Sequence, residues 1–254
     1  MKVLAVIPAR YASTRFPGKP LALLQGTPII QWVWERVGQA MDINDAVVAT
    51  DDERILSAVE SFGGRAMMTR NDHRSGTDRC GEVLKQLEKD GHRYDVVINI
   101  QGDEPFVRPE QLTSLIHCFT RPQVEIATLR TPIRSQEALL SPNNVKVVTD
   151  AQQRALYFSR HALPYLRGVE PQNWLSQHTY HKHVGIYAFR SEILKKIVQL
   201  PIGELEHCES LEQLRWLEQG YTIHLCDTDM ENIGIDTPDD LRQAEKYLIH
   251  HPKL

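Results

Sequence analysis

The sequence predicts an α/β fold with a mostly parallel central sheet, helices on both of its faces and a small strand-rich inserted lobe. In the first half, apolar β-branched runs alternate with stretches whose apolar residues recur every three or four positions, as in a parallel sheet with helical crossovers. After about residue 122, strand-like runs follow one another with little helix between them. We therefore expect a single domain over residues 1–254, with the lobe embedded at about residues 125–190.

Hydrophobic periodicity predicts the individual elements in chain order. The run Val-Leu-Ala-Val-Ile at residues 3–7 has the length and β-branched content of a buried strand. Strands are predicted at residues 3–9, 46–50, 65–68, 96–101, 125–133, 145–149, 155–159 and 182–189. Helices are predicted at residues 29–40, 53–62, 76–87, 109–118, 191–199, 205–218 and 238–250. The last helix follows the order Asp-Thr-Pro, which is typical of a helix start.

Composition and charge exclude several classes of protein. Of the 254 residues, 41% are hydrophobic and 24% charged, and the net charge is −4 with scattered Lys and Arg; this pattern indicates no nucleic-acid or membrane surface. The apolar runs are shorter than the roughly 18 residues of a membrane span, and a strand at the N-terminus leaves no room for a secretory signal. The four cysteines, which lack a C-x-x-C pair, are expected to be reduced, in a cytoplasmic protein.

A basic loop (residues 10–19) follows the first strand, within the segment Ile-Pro-Ala-Arg-Tyr-Ala-Ser-Thr-Arg-Phe-Pro-Gly-Lys-Pro at residues 7–20. Arg10, Arg15 and Lys19 lie there among small polar residues that include Ser13. Arginine forks and a mobile lysine charge suit the oxygens of a polyphosphate. A basic surface loop is the alternative, but ligands of open α/β sheets gather at strand ends. The position of the loop favours a ligand.

Two acidic segments follow other predicted strands. The acidic turn (residues 101–105, Gln-Gly-Asp-Glu-Pro) exposes Asp103 after the strand at residues 96–101. Asp236 follows an apolar segment at residues 233–235 that resembles a strand end. A carboxylate beside a polyphosphate normally reaches it through Mg²⁺, so Asp103 and Asp236 are predicted metal ligands. The alternative is that each aspartate caps the helix that follows it.

Further polar residues form two candidate groups. In the segment His-Arg-Ser-Gly-Thr-Asp-Arg at residues 73–79, the start of the helix offers free N–H groups and hydroxyls for a base or ribose, or Ser75 simply caps the helix. A second set, near or within the lobe, suits a small, hydroxylated, acidic substrate. For any one of its members, a structural salt bridge or a core hydrogen bond is the alternative. The second set comprises Arg160, Arg167, His183, Tyr187, Glu212 and Gln213.

The motifs of some other enzyme classes are absent from the sequence. It contains no G-x-G-x-x-G after the first strand, no G-x-x-x-x-G-K-[ST] and no G-x-S-x-G. Dinucleotide-dependent dehydrogenases, P-loop NTPases and serine hydrolases of the α/β class are therefore not indicated.

The chain resembles the 3-deoxy-D-manno-octulosonate (Kdo) cytidylyltransferases, or CMP-Kdo synthetases, of bacterial lipopolysaccharide synthesis. The resemblance covers nearly the whole chain and rests on the combination of its motifs. They lie at residues 7–20, 75–79, 101–105, 144–148, 157–160, 183–187, 211–215 and 234–238. The resemblance implies a Rossmann-like nucleotidyltransferase fold, a homodimer, and transfer of CMP from CTP to Kdo with Mg²⁺ and release of pyrophosphate.

The resemblance also implies roles for individual residues. Arg10 and Lys19 would contact the CTP triphosphate, Ser75 and Arg79 would lie near the nucleotide, and Asp103 and Asp236 would hold Mg²⁺. The residues implied to face the sugar acid are Gln101, Arg160, Arg167, His183, Tyr187, Glu212 and Gln213.

Two alternatives to this function stay open at the level of sequence. The chain could activate another acidic sugar, such as an amino-substituted Kdo or a sialic acid, because residues 168–182 and 229–232 depart from the family pattern. It could also be a nucleotide sensor without turnover, although the residues of the second set speak against that.

Overall fold

The structure is a computed structural model that describes residues 1–230 and 234–251. Its strands are β1 (Val3–Ala9), β2 (Leu23–Leu24), β3 (Thr27–Pro28), β4 (Asp45–Thr50), β5 (Ala66–Met68), β6 (Val96–Asn99), β7 (Ile126–Pro132), β8 (Lys146–Thr149), β9 (Ala155–Ser159), β10 (His181–Arg190) and β11 (Ile223–Asp227). Its helices are α1 (Ile29–Gly38), α2 (Glu53–Ser61), α3 (Gly76–Lys89), α4 (Pro109–Cys118), α5 (Gln136–Leu140), α6 (Trp174–Gln177), α7 (Ser191–Ile197), α8 (Glu204–Glu209), α9 (Glu212–Glu218) and α10 (Pro238–His250).

The central sheet is mixed but mostly parallel, in the order β11-β7-β10-β6-β1-β4-β5. Strand β10 runs antiparallel to both of its neighbours, β6 and β7, whereas the other pairs along this path are parallel. Strands β8 and β9 form an antiparallel ribbon that joins the start of β10. The predicted α/β class with a mostly parallel sheet is confirmed.

Both faces of the sheet are covered because its inner strands are apolar on both sides. Along β1, Val3, Ala5 and Ile7 pack into one core with α1, α2 and α4. Leu4 and Val6 face the opposite core, which contains residues of α3, α7 and α9. A smaller core around Trp174 and Tyr180 lies beside the end of β7 and the start of β10, next to α5 and α6. The carboxyl ends of β1 and β6 are thereby held at one edge of the sheet.

The sequence-based boundaries are wrong in two places that matter for the site. The helix predicted at residues 205–218 is broken into α8 and α9, because Ser210 adopts a left-handed conformation (φ 51°). No strand runs directly into Asp236: residues 234–236 are irregular, Ile233 lies outside the described residues, and the neighbouring strand is β11. Strand β11 and the short β2–β3 hairpin were not predicted.

The cysteines differ from the expectation. Cys118, at the end of α4, is joined to Cys226 of β11 by a disulfide, whereas Cys80 and Cys208 are free thiols. The prediction of four reduced thiols is therefore wrong for one pair, whose approach depends on two elements 108 residues apart. Within residues 1–230 and 234–251, no helix is both long and apolar enough to cross a membrane.

Candidate active site

A cleft of about 250 Å³ lies at the carboxyl ends of β1 and β6. It is bounded by the basic loop, the start of α3 and the acidic turn, and nine of the predicted site residues line it. These are Arg10, Ser13, Arg15, Lys19, Ser75, Arg79, Gln101, Asp103 and Asp236. The fold thus brings the basic loop and both aspartates to a single cleft, although they are far apart in the sequence.

The basic loop is closed on itself at its base. The amide of Gly18 donates a hydrogen bond of 2.9 Å to the carbonyl oxygen of Tyr11. Gly18 has φ 70°, a left-handed conformation that a residue with a Cβ adopts only with strain. A short 3₁₀ turn, Lys19–Leu21, begins immediately afterwards. This arrangement turns the Lys19 side chain back toward the cleft.

Lys19 connects the two aspartates directly. Its Nζ atom lies 2.5 Å from Asp103 Oδ2 and 3.0 Å from Asp236 Oδ1, and only 11% of its side chain is exposed. Arg15 lies 3.1 Å from the other oxygen of Asp236. Burial, the largest effect, raises the pKa of Asp236, but hydrogen bonds and charges from Lys19 and Arg15 together leave this pKa below its usual value. Both carboxylates therefore face one position already occupied by a cation.

Neither aspartate is the N-cap of the helix that follows it. Helix α4 is preceded by Arg108, and helix α10 is capped by Thr237, whose hydroxyl accepts a hydrogen bond from the amide of Asp240. Asp103 is placed instead by its own turn, because its carbonyl oxygen accepts a 3.0 Å hydrogen bond from the Ile235 amide. The segment leading to Asp236 is thereby joined to the acidic turn.

Glycine at position 102 allows the acidic turn to approach β1. Its amide donates a 3.3 Å hydrogen bond to the carbonyl oxygen of Pro8. A Cβ added at Gly102 would lie 2.7 Å from that same oxygen. Residues with side chains cannot pack this closely, so the glycine sets the spacing between the acidic turn and the basic loop.

Ser75 and Arg79 also line the cleft, but their side-chain polar groups form hydrogen bonds within the protein. Ser75 caps α3 and accepts a 3.1 Å hydrogen bond from the amide of Asp78, as the capping interpretation predicts. The guanidinium of Arg79 is buried and contacts Asp51 (2.5 Å) and the Thr69 hydroxyl (2.6 Å). The charge of Arg79 is therefore paired within the protein and ties α3 to the ends of β4 and β5.

The remaining predicted residues lie outside this cleft. His183 lines a second cavity of about 180 Å³, together with Glu104 and Lys182, so the acidic turn separates the two cavities. The Nε2 atom of His183 lies 3.0 Å from the Thr128 hydroxyl, and the centre of its ring lies 5.2 Å from that of the Tyr187 ring. Burial lowers the pKa of His183 to about 3, so the imidazole is neutral near pH 7.

Tyr187, Glu212 and Gln213 form a buried polar group beside the start of α3. Glu212 accepts a 2.8 Å hydrogen bond from the Thr77 hydroxyl, and burial raises the pKa of its carboxyl. Among the described residues, the Tyr187 hydroxyl and the Gln213 side-chain nitrogen are buried without a hydrogen-bond partner. Unpaired buried groups of this kind are costly, which makes them candidates for contact with a polar ligand.

The two arginines of the lobe differ in their surroundings. Arg160 donates hydrogen bonds to the carbonyl oxygens of Glu209 (2.6 Å), Pro142 (3.1 Å) and Ser210 (3.2 Å). Arg167 is exposed on the loop after β9. Arg160 therefore already has a structural role, and only its remaining N–H groups are available for a substrate carboxylate.

Sequence reasoning missed Lys146, which supports the Arg160 segment. Lys146 is fully buried, and its ammonium donates hydrogen bonds to the carbonyl oxygens of Ser141 (2.9 Å), Asn144 (2.6 Å) and Arg160. Burial is the main reason that its pKa is lowered. A lysine within an otherwise apolar strand was the available signal.

Comparisons with known proteins point to one enzyme family. Residues 4–225 match a family model described as "Cytidylyltransferase". A 3-deoxy-manno-octulosonate cytidylyltransferase of Phocaeicola vulgatus is 54% identical over 251 residues, covering 98% of both chains. The corresponding protein of Bacteroides thetaiotaomicron is 53% identical, with the same coverage.

Solved structures agree with these relatives. The chain matches a CMP:2-keto-3-deoxy-manno-octonic acid synthetase complexed with CTP, with a TM-score of 0.90 and 43% identity, over 99% of this chain and all of the other. A 4-diphosphocytidyl-2C-methyl-D-erythritol synthase from Anaerococcus prevotii aligns with a TM-score of 0.62 at 14% identity, over 98% of this chain and 96% of that one. The second match supports the fold alone.

Proposed function

The chain belongs to the 3-deoxy-manno-octulosonate cytidylyltransferase family, and on that premise we propose that it transfers CMP from CTP to the anomeric hydroxyl of Kdo. The products are CMP-Kdo and pyrophosphate. The names of relatives at 53–54% identity favour Kdo over another acidic sugar. The observation that carries the proposal is the single cleft in which the basic loop meets Asp103 and Asp236.

The basic loop and the start of α3 would bind the triphosphate. Arg10, Arg15 and Lys19 supply three positive charges, and Ser13 supplies a hydroxyl. Because α3 is 14 residues long, its first amides and its dipole favour an anion beside Ser75. Arg79 lines the same side of the cleft. The loop charges would offset the charge that builds up on the leaving pyrophosphate.

The two aspartates fit a magnesium ion. Carboxylate oxygens are hard ligands, and Mg²⁺ is commonly held by one or two carboxylates plus substrate phosphates and water. Both carboxylates already share one cation, the Lys19 ammonium. Among the described residues, no group of three or more His, Cys, Asp or Glu side chains is arranged to hold a metal, so substrate oxygens and water would complete the site. Bound Mg²⁺ would neutralise phosphate charge and lower the pKa of the attacking hydroxyl.

The second set of residues would hold the sugar acid. Unpaired buried groups on Tyr187 and Gln213 can satisfy its hydroxyls, and neutral His183 can exchange hydrogen bonds without adding charge. Arginine donors can bind its carboxylate. The residues proposed for this role are Gln101, Arg160, Arg167, His183, Tyr187, Glu212 and Gln213.

In the chemical step, the anomeric oxygen of Kdo forms a bond to the α-phosphorus as the bond from that phosphorus to the bridging oxygen breaks. Pyrophosphate leaves on the opposite side, and the hydroxyl proton passes to solvent. Positioning and charge stabilisation provide most of the rate enhancement in such a displacement. We assign no side chain as general base.

We further propose a cytoplasmic homodimer that acts as one domain with an embedded lobe. CTP is a cytoplasmic metabolite, which supports the location. Large apolar side chains are exposed on the lobe at Leu140, Leu156 and Tyr165, which supports a dimer surface there. Light scattering of the purified chain tests the dimer.

A panel of acceptors tests the proposed reaction. Purified chain with CTP and Mg²⁺ should release pyrophosphate rapidly with Kdo, and much more slowly with a sialic acid or a hexuronic acid. Equal rates with the sialic acid would favour the alternative acceptor. CTP binding without turnover on any sugar acid would favour a nucleotide sensor.

A further inference from the structure

Arg54, at the start of α2, contacts the basic loop through Tyr11. Arg54 lies in none of the motifs named in the sequence analysis. Its guanidinium carbon lies 3.3 Å from the centre of the Tyr11 ring. Its Nε and Nη2 atoms donate hydrogen bonds of 2.9 and 2.7 Å to the two carboxylate oxygens of Asp52. Asp52 is itself fixed as the N-cap of α2. The guanidinium is thus held in a defined plane against the aromatic ring.

The Tyr11 ring in turn packs against Gly18. A Cβ added at Gly18 would lie 3.0–3.1 Å from the ζ carbon, one ε carbon and the hydroxyl of Tyr11. The backbone hydrogen bond between the same two residues closes residues 11–18 into a loop. Ser13 and Arg15 lie inside this loop, and Arg10 and Lys19 lie at its two ends. The proposed triphosphate ligands of the basic loop therefore all depend on the junction of Tyr11 and Gly18.

Arg54 contributes little to the core by itself. Its side chain is 59% exposed, and its ion pair with Asp52 lies at the surface. Surface ion pairs contribute little to stability. The consequence of removing Arg54 is therefore expected mainly in the position of the Tyr11 ring, and hence in the loop.

The geometry points to Arg54 as a positioning residue of the basic loop, which acts through Tyr11 to hold the loop in the conformation that binds the CTP triphosphate. This inference rests on the proposed function. It adds a residue of α2 to a site that is otherwise formed by the basic loop, the acidic turn, Asp236 and the start of α3.

Calorimetric titration of CTP into the purified chain, without any acceptor sugar, tests the inference. Arg54→Ala should weaken CTP binding about two- to fivefold, because an exposed cation–π contact contributes on this scale. Arg54→Lys should restore part of the affinity, since the ammonium can still lie over the ring. Arg70→Ala is the matched control: Arg70 forms the same type of exposed pair with Asp72, two residues away, and has no cation–π contact with an aromatic ring among the described residues.

A double-mutant cycle separates positioning from a general effect on folding. In a Tyr11→Ala background, Arg54→Ala should cause no further loss of affinity, whereas Tyr11→Phe should retain the effect of Arg54. Unchanged CTP affinity in Arg54→Ala, or an equal loss with and without the Tyr11 ring, would overturn the inference. Wild-type chain that binds CTP but transfers nothing to Kdo would contradict the proposed function and leave the role of Arg54 standing.

Discussion

Replacing Gly102 by alanine should disable the site without removing any functional group. The added Cβ would lie 2.7 Å from the Pro8 carbonyl oxygen, whereas ordinary contacts begin at 3.4 Å. The acidic turn must therefore retreat from β1 by roughly the difference, about 0.7 Å. Pro8 precedes the basic loop and Gly102 precedes Asp103, so the retreat separates Asp103 from Lys19.

The magnitude follows from the sensitivity of catalysis to position. A misplacement of about 1 Å costs on the order of 10²-fold in rate, so a shift of about 0.7 Å should lower kcat/KM by roughly ten- to a hundredfold. Overpacking should also lower the free energy of unfolding by about 1–3 kcal/mol. Pyrophosphate release measured against CTP concentration, together with urea denaturation, gives both quantities.

Gly38→Ala is the matched control for this experiment. Gly38 lies at the end of α1, and a Cβ there would have no atom within 4 Å. This variant should keep full activity and wild-type or slightly higher stability. Wild-type kcat/KM in Gly102→Ala would refute the claim that the spacing between the acidic turn and the basic loop governs turnover.

Three further predictions test separate parts of the account. Asp103→Asn should reduce kcat at saturating Mg²⁺ by at least about a hundredfold, with stability within about 1 kcal/mol of wild type; near-normal turnover contradicts its role as a metal ligand. Lys19→Met should bind Mg²⁺ about tenfold more tightly without CTP, because it frees the carboxylates of Asp103 and Asp236; equal calorimetric affinities contradict this. At pH 5 the folded chain keeps His183 (pKa about 3) neutral, whereas the unfolded chain protonates it. This one histidine should therefore lower the free energy of unfolding by about 2 kcal/mol between pH 7 and pH 5. In urea titrations at the two pH values, the free energy of unfolding of His183→Gln should fall by about 2 kcal/mol less than that of the wild type. An equal fall in the variant and the wild type counts against a buried neutral imidazole.

The parts of the fold with strong local signals were predictable from the sequence. The bounds of β1 agree with its apolar run, and the start of α3 agrees with Ser75 as its cap. The break between α8 and α9 was not predictable, because Ser210 gives no local warning of its left-handed conformation. Gly234 and Ile235 precede Asp236 without forming a strand, and the amide of Ile235 donates its hydrogen bond to the acidic turn. Tertiary contacts decide both cases.

The site, like the fold, has some features with a local signal in the sequence and others that depend on tertiary contacts. Strand-end position correctly indicated that the basic loop and the acidic turn would share a cleft, since parallel strands end at one edge of the sheet. Asp236 reaches the same cleft without a strand before it, through the hydrogen bond from the Ile235 amide to the acidic turn. Sequence could not show that the charges of Arg79 and Arg160 are already paired within the protein. It also gave no sign of the Cys118–Cys226 pairing or of the contact between Arg54 and Tyr11. Each depends on which distant elements become neighbours.

Isotope labelling shows which oxygen atom attacks the α-phosphorus of CTP. Kdo carrying oxygen-18 at its anomeric hydroxyl would be incubated with the purified chain, CTP and Mg²⁺. The masses of the products would then be measured by mass spectrometry. We expect CMP-Kdo that retains the label in the bridge between sugar and phosphorus, and unlabelled pyrophosphate. Unlabelled CMP-Kdo, or no sugar nucleotide from a chain that binds CTP, would contradict attack by the sugar hydroxyl on the α-phosphorus.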